Sequence, residues 1–333
     1  MKQKFTLIGL ALPLFLLIST LTACGGKEES ISKSGFYFDT VIHITLYDKD
    51  AGYALDHCME MAESYEQTLS DSLPDSDVSR INAHPGQAVA VAPDTAELIR
   101  LALDYGALSE GRFDITIGRL ADLWSFEEEN IPSEEKIRAA LSHVDYRKVE
   151  VEGDTVTLHD KKSAIDLGGI AKGFIADRMK EYLESEGIRS GLINLGGNVL
   201  TLGEKPSHSS YTIGIQKPFS EDGTPILSIE LLDRSVVTSG TYQRYFKKDG
   251  RIYHHIIDTA TGFPCDNGLA SVSILSDSST EGDALSTTVF LMGLENGLRF
   301  VESREDIEAV FITTEDEIVY SSGFKDHYRS KEY

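Results

Sequence analysis

The sequence is short of positive charge. Its 333 residues hold 31 Lys and Arg against 54 Asp and Glu, a formal charge of −23. So acidic a chain is poorly suited to the phosphates of DNA or RNA, and it is not drawn electrostatically to anionic lipid. Cysteine is scarce as well: Cys24, Cys58 and Cys265 are all there is. No Cys/His set has the spacing of a zinc site, which removes the small metal-stapled modules from consideration. There is no tandem repeat, and no long linker follows residue 35. What is present is 41% hydrophobic and 26% charged, an ordinary globular composition that excludes collagen, coiled coil and wholesale disorder. At this length the core needs no staple.

The long apolar run lies at the amino terminus. Lys2 and Lys4 precede Phe5 to Leu21, and no acidic residue occurs before Glu28. That is the layout of a secretory signal peptide. Its shortness and Pro13 argue against a retained membrane span. The run ends Leu21-Thr22-Ala23-Cys24, which resembles a bacterial lipobox. The resemblance implies cleavage before Cys24 and a diacylglycerol on its sulfur. The expected division is a lipoprotein signal peptide at 1–23, a lipidated tether at 24–35 and one folded domain at 36–333. The protein would then sit at the cell membrane on its extracytoplasmic face, touching the membrane through lipid alone. A Cys58–Cys265 disulfide is permitted in that compartment; two buried, unpaired thiols are the simpler reading.

Along the remaining chain, Phe36 to Tyr47 alternates and reads as a strand. Helical spacing covers Ala51 to Leu69, Pro93 to about Ser109, Ser133 to Leu141 and Ile170 to Glu186, while Ser70 to Asn82 reads as a turn-rich loop. Lys148 to His159 reads as a hairpin turning at Gly153-Asp154. Strands follow at Leu192–Leu195, Tyr211–Gln216, Ile226–Leu231, Val236–Ser239, Ile252–Ile257 and Ala270–Leu275. Two helices, Asp283–Gly293 and Asn296–Ser303, and a closing hairpin complete the order. The pattern specifies a single α+β domain, bilobal at most, with mixed sheets flanked by helices.

Three segments carry most of the chemistry. Asp166-Leu167-Gly168-Gly169-Ile170-Ala171-Lys172-Gly173 follows a hairpin and opens a helix. Paired glycines let backbone approach a ligand, a helix amino terminus offers free N–H groups, and Lys172 adds a cation; together they suit a phosphate. The spacing is neither G-x-G-x-x-G nor a P-loop. In Glu281-Gly282-Asp283-Ala284-Leu285-Ser286-Thr287, Asp283 and Thr287 lie four apart and share a helix face. A carboxylate and a hydroxyl so placed can hold a hard cation such as Mg²⁺, which commonly keeps waters and takes substrate phosphates as further ligands. In Tyr253-His254-His255-Ile256-Ile257-Asp258, strand alternation points the two histidines opposite ways, so one can face a site and accept a proton near neutral pH. By spacing alone, each segment is also compatible with a glycine turn, a capped helix or structural histidines.

In order, FDTVIHITLY (38–47), SDVSRIN (76–82), FDITIG (113–118), DLGGIAKG (166–173), LINLGGN (192–198), VTSGTY (237–242), HHIIDTATGFP (254–264) and GDALST (282–287) resemble the ApbE family of FAD:protein FMN transferases. The resemblance implies that FAD is the substrate, that Mg²⁺ is the cofactor and that a threonine or serine hydroxyl of an acceptor redox protein attacks the FMN-side phosphorus, releasing AMP. Gly169 (through its carbonyl), Asp283 and Thr287 fall on the family's metal ligands, and His255 and Asp283 on its catalytic positions. Phe113, Asp114, Asp166, Lys172, His255, Ile257 and Asp258 fall where the family contacts the flavin nucleotide. There are departures: Thr259 stands where proline is usual, Gly282 where alanine is usual, and Thr68 to Pro74 lacks the family's phenylalanine and tyrosine. Two other functions fit the same residues less fully. One is a Mg²⁺-dependent FAD pyrophosphatase using water; the other is a lipoprotein that only holds flavin.

Overall fold

Ile42, Ile44 and Leu46 alternate into the core from the strand Thr40–Leu46, second from one edge of the main sheet. The computed structural model describes residues 29–126, 128–220 and 222–333. The signal peptide, the cleavage site and Cys24 lie outside the described residues. The single strand expected at 36–47 is a hairpin: Ile31–Tyr37 pairs antiparallel with Thr40–Leu46. Its turn is Phe38-Asp39, with φ of 55° and 56°. Consecutive left-handed residues make the tight turn whose twist matches a hairpin, a role usually advertised by glycine. Here Glu66 accepts a hydrogen bond from the Phe38 N–H at 2.7 Å and holds it instead. Ordered strand thus begins at Ile31, inside the stretch assigned to the tether.

Eight helices are assigned among the described residues: α1 (Gly52–Leu69), α2 (Asp77–Ala83), α3 (Pro93–Leu108), α4 (Gly118–Ala121), α5 (Glu134–Leu141), α6 (Ala171–Ser185), α7 (Ser279–Glu302) and α8 (Phe324–His327). Helix α7 breaks at Gly293 (φ 74°, ψ 173°), so the two expected helices are one assigned element in two pieces. Helix α2 corrects the expected loop at 70–82. Ser76 caps it, accepting from the Ser79 N–H at 2.9 Å.

The main sheet orders its strands Ile31–Tyr37, Thr40–Leu46, Gly191–Leu195, Asn198–Leu202, Ser235–Gly240, Leu269–Ser276, Glu308–Thr313 and Ile318–Tyr320. Every pairing of named strands is antiparallel. One sheet face buries α1, α6 and α7, with Ile193, Leu195, Leu200, Met179 and Phe174 in one core and Val272, Ile274, Val289 and Phe290 in the next. The opposite face packs on the Tyr211–Gln216 and Pro225–Leu231 strands and on α8. A satellite core of Leu120, Trp124, Ile137 and Ile257 supports the segment after His255. No helix among the described residues is long and apolar enough to cross a membrane. Cys58 and Cys265 are both free. Burial raises each thiol to about 12, so neither is reactive near neutrality.

Candidate active site

The glycine loop is held from two directions. Asn82 at the end of α2 makes a backbone-like pair with Ile165: its Oδ1 accepts from the Ile165 N–H at 2.7 Å, and its Nδ2 donates to the Ile165 carbonyl at 2.9 Å. Asp166 Oδ1 then accepts from the Gly168 N–H at 2.7 Å, a local turn that sets up the paired glycines. A Cβ on Gly169 would stand 3.0 Å from the Phe113 ring, so Phe113 acts as the floor of the loop. Asp77 of the same SDVSRIN segment accepts from the Ala92 N–H and the Thr95 hydroxyl and fixes the start of α3. That segment is therefore scaffold.

Helices α6 and α7 cross at a single glycine. A Cβ on Gly173 would press on the Ser279 carbonyl oxygen and stand 2.8 Å from Asp283 Cβ. With only hydrogen there, the Gly173 N–H donates to Asp283 Oδ2 at 2.9 Å. One turn on, Asp177 accepts from the Ser279 and Thr280 N–H groups at 2.8 and 2.9 Å and from the Ser278 and Thr280 hydroxyls. This carboxylate, which the sequence did not single out, satisfies the free amides at the start of α7 and sits at its positive end. Gly282, in place of the family's alanine, lets α7 settle on the sheet, because a Cβ there would stand 2.9 Å from Val237. Asp283 is 5% exposed, and Thr287, one turn later, is half-buried against the Ser239 hydroxyl at 3.0 Å. Lys172 curls over the loop, its Nζ donating to the Gly168 carbonyl at 3.0 Å.

The two histidines are sorted by their hydrogen bonds. His254 is buried; its Nε2–H donates to the Cys265 carbonyl at 2.9 Å and its Nδ1 accepts from the Ile256 N–H at 3.3 Å. Both nitrogens are used, so His254 is structural. Among the described residues, His255 hydrogen-bonds only to the Arg244 carbonyl, which accepts from its backbone N–H at 3.1 Å and from Nδ1 at 3.4 Å. A carbonyl cannot donate, so Nδ1 carries the proton and Nε2 keeps its lone pair. Burial first, then the neighbouring His254, lowers the imidazole to about 4, so it is neutral at pH 7.

Three expected nucleotide contacts are engaged elsewhere. Asp114 is buried, with Oδ1 accepting from the Thr116 N–H and hydroxyl at 2.8 and 2.6 Å and Oδ2 from the Tyr146 N–H at 2.8 Å. Burial raises its pKa, and these hydrogen bonds oppose the shift. Asp258 closes its own turn, accepting from the Ala260 N–H at 2.9 Å and the Thr261 hydroxyl at 3.2 Å. It therefore does not orient His255. Ile257 points into the satellite core. Thr259, at the family's proline position, anchors that turn by donating to the Gly111 carbonyl at 2.8 Å.

The structure thus lays Lys172 over the glycine loop, ties Asp283 to Gly173 at the start of α6 with Thr287 one helical turn beyond it, and positions His255 near Lys172, whose charge also disfavours imidazolium. The sequence model of the ApbE family matches residues 38–311. The chain belongs to the ApbE family. Among ApbE relatives, the FAD:protein FMN transferase of Klebsiella pneumoniae is 38% identical over 296 residues, covering 87% of this chain and 92% of its own. That of Treponema pallidum is 32% identical, covering 95% and 94%. In structure, the ApbE protein of Thermotoga maritima superposes with a TM-score of 0.84 at 31% identity, covering 90% of this chain and all of its own. The flavin transferase ApbE of Vibrio cholerae gives 0.80 at 30% identity, covering 90% and 99%.

Proposed function

We propose that this ApbE protein moves FMN from FAD to a threonine or serine hydroxyl of an acceptor redox protein, with release of AMP. The observation that carries the reading is the α6–α7 junction, where Asp283 accepts from the Gly173 N–H in the first turn of the helix that follows the glycine loop, with Thr287 one turn further along α7. The acceptor oxygen forms a bond to the FMN-side phosphorus, the bridging P–O bond breaks, AMP departs, and the hydroxyl proton passes to Nε2 of His255. Phosphoryl transfer of this kind needs positioning and charge stabilisation more than covalent help.

The donor set suits Mg²⁺. Asp283, the Thr287 hydroxyl and the Gly169 carbonyl are all hard oxygen donors, and only one is charged, which leaves positions for water and phosphate oxygens. No cluster of three or more His, Cys, Asp or Glu that could hold a metal occurs among the described residues, so any cation here leans on neutral oxygens and on the substrate. Bound there, Mg²⁺ would neutralise charge on the diphosphate as the bond breaks. Lys172 would add a second positive charge beside the diphosphate.

Water as nucleophile is the second reading, giving FMN and AMP. It is favoured by the exposed Asp71 and Ser72 in a loop without an aromatic ring. We also infer a lipid anchor at Cys24 on the outer face of the cell membrane, from Lys2, Lys4, the apolar run and the lipobox-like ending. One experiment separates the functions: incubate the chain with FAD, Mg²⁺ and an acceptor protein carrying a flavinylation threonine. Flavin fluorescence on the denatured acceptor supports transfer. AMP without labelled acceptor supports hydrolysis, and FAD binding with neither product contradicts both.

A further inference from the structure

Thr287 arrives at the site with its hydroxyl proton already committed. Ser286 Oγ donates to the Asp283 carbonyl at 2.9 Å. A hydroxyl has one proton and a carbonyl oxygen can only accept, so Ser286 has nothing further to donate. The 2.8 Å contact between Ser239 Oγ and Ser286 Oγ must therefore carry the Ser239 proton. The 3.0 Å contact between Ser239 Oγ and Thr287 Oγ1 must then carry the Thr287 proton. The direction is fixed along the chain of oxygens: Thr287 to Ser239 to Ser286 to the Asp283 carbonyl. Thr287 Oγ1 is left with both lone pairs and no proton on its ligand side, which is what a hydroxyl needs to bind a cation.

We propose that Ser239, on the strand Ser235–Gly240, is a positioning residue for the cation subsite. It accepts the hydrogen bond that the Thr287 hydroxyl donates and so turns that oxygen's lone pairs toward the metal. This rests on the reading that Asp283 and Thr287 hold a divalent cation. Outer hydrogen-bond partners of this kind typically shift metal affinity about 10–100-fold.

Mn²⁺ alone, titrated into the chain and read by its electron paramagnetic resonance signal, tests the proposal. Ser239→Ala is expected to weaken Mn²⁺ binding about tenfold, at the low end of that range, while metal-free FAD affinity stays at the wild-type value. Ser239→Thr, which restores the hydroxyl, is expected to recover most of the loss. Wild-type Mn²⁺ affinity in Ser239→Ala, no recovery in Ser239→Thr, or equal losses of Mn²⁺ and FAD would each overturn it. Asp283→Ala separates the two claims. If it loses Mn²⁺ while Ser239→Ala does not, the relay alone fails; if Asp283→Ala binds Mn²⁺ normally, the cation site itself fails and the relay with it. Should Ser239→Ala not fold, Ser286→Ala serves. It frees the Ser239 proton to turn back on Thr287, so weaker Mn²⁺ binding is again expected, and unchanged binding overturns the proposal.

Discussion

At the α6–α7 junction and in segment 254–264, the chain treats its polar motif residues in opposite ways. In the segment, His254, Asp258 and Thr259 turn their polar atoms inward, onto Cys265, Ala260 and Gly111, and Nε2 of His255 is the atom left over. At the junction, polar atoms are ordered but kept open. Asp283 is gripped through Oδ2 by the Gly173 N–H, and Thr287 only donates a hydrogen bond to Ser239. A motif dense in histidine, aspartate and threonine can thus be mostly turn. A motif with one aspartate and one threonine can be mostly site. The difference is whether backbone partners lie within reach of the side chain.

That contrast can be broken by substitution, and the junction should be the more sensitive side. Asp283→Ala removes the charged donor and is expected to lower turnover by about 10²–10³-fold or more, with an unchanged circular dichroism spectrum. Turnover within tenfold of wild type would equate the junction with the turn. His255→Ala should cost about 10²-fold in turnover with little change in FAD affinity. His254→Ala should instead act on stability, by about 1–3 kcal/mol, because it leaves the Cys265 carbonyl and the Ile256 N–H unpartnered. If urea midpoints and turnover show the two histidines exchanging these effects, the sorting is wrong. Gly173→Ala should destabilise by about 1–3 kcal/mol through forced separation of α6 from α7, read as a shift in thermal midpoint.

The smallest expected effect is on pH dependence. The imidazole of His255 takes its proton near 6.5 when unfolded and only near 4 when folded. Between those values the unfolded chain binds more protons, so stability from this group rises with pH. It is complete above about 6.5 and is lost as pH falls toward 4. Wild-type stability minus that of His255→Gln should therefore fall on acidification from pH 7 to 4.5, and parallel curves would contradict the assignment.

Much of this was legible in the sequence where periodicity or a cap spoke plainly. Helices α1, α3, α5 and α6, the 148–159 hairpin and the break in α7 fall where the spacing puts them. The hairpin at 31–46 was not, because Phe38-Asp39 carries no glycine and Glu66, twenty-eight residues away, stabilises it. Helix α2 was hidden by its serines and aspartates, which read as turn although Ser76 is an N-cap. Among the candidate site residues, Asp283, Thr287 and Lys172 stood in motifs whose roles only the family resemblance implied. Asp177 could not be read from the sequence, and Ser239, though it lies in VTSGTY, did not reveal its contact with Thr287, since each matters only through a helix about 50 or more residues distant.

On the proposed reading, a divalent cation held by Asp283 and Thr287 enables cleavage of the FAD diphosphate. The most direct test quantifies AMP and acceptor-bound FMN together, with Mg²⁺ and with excess chelator, in wild type and Asp283→Ala. With Mg²⁺, AMP should at least equal bound FMN, and both should be lost under chelator and in the variant. Undiminished transfer in the presence of chelator, or in Asp283→Ala, would contradict it.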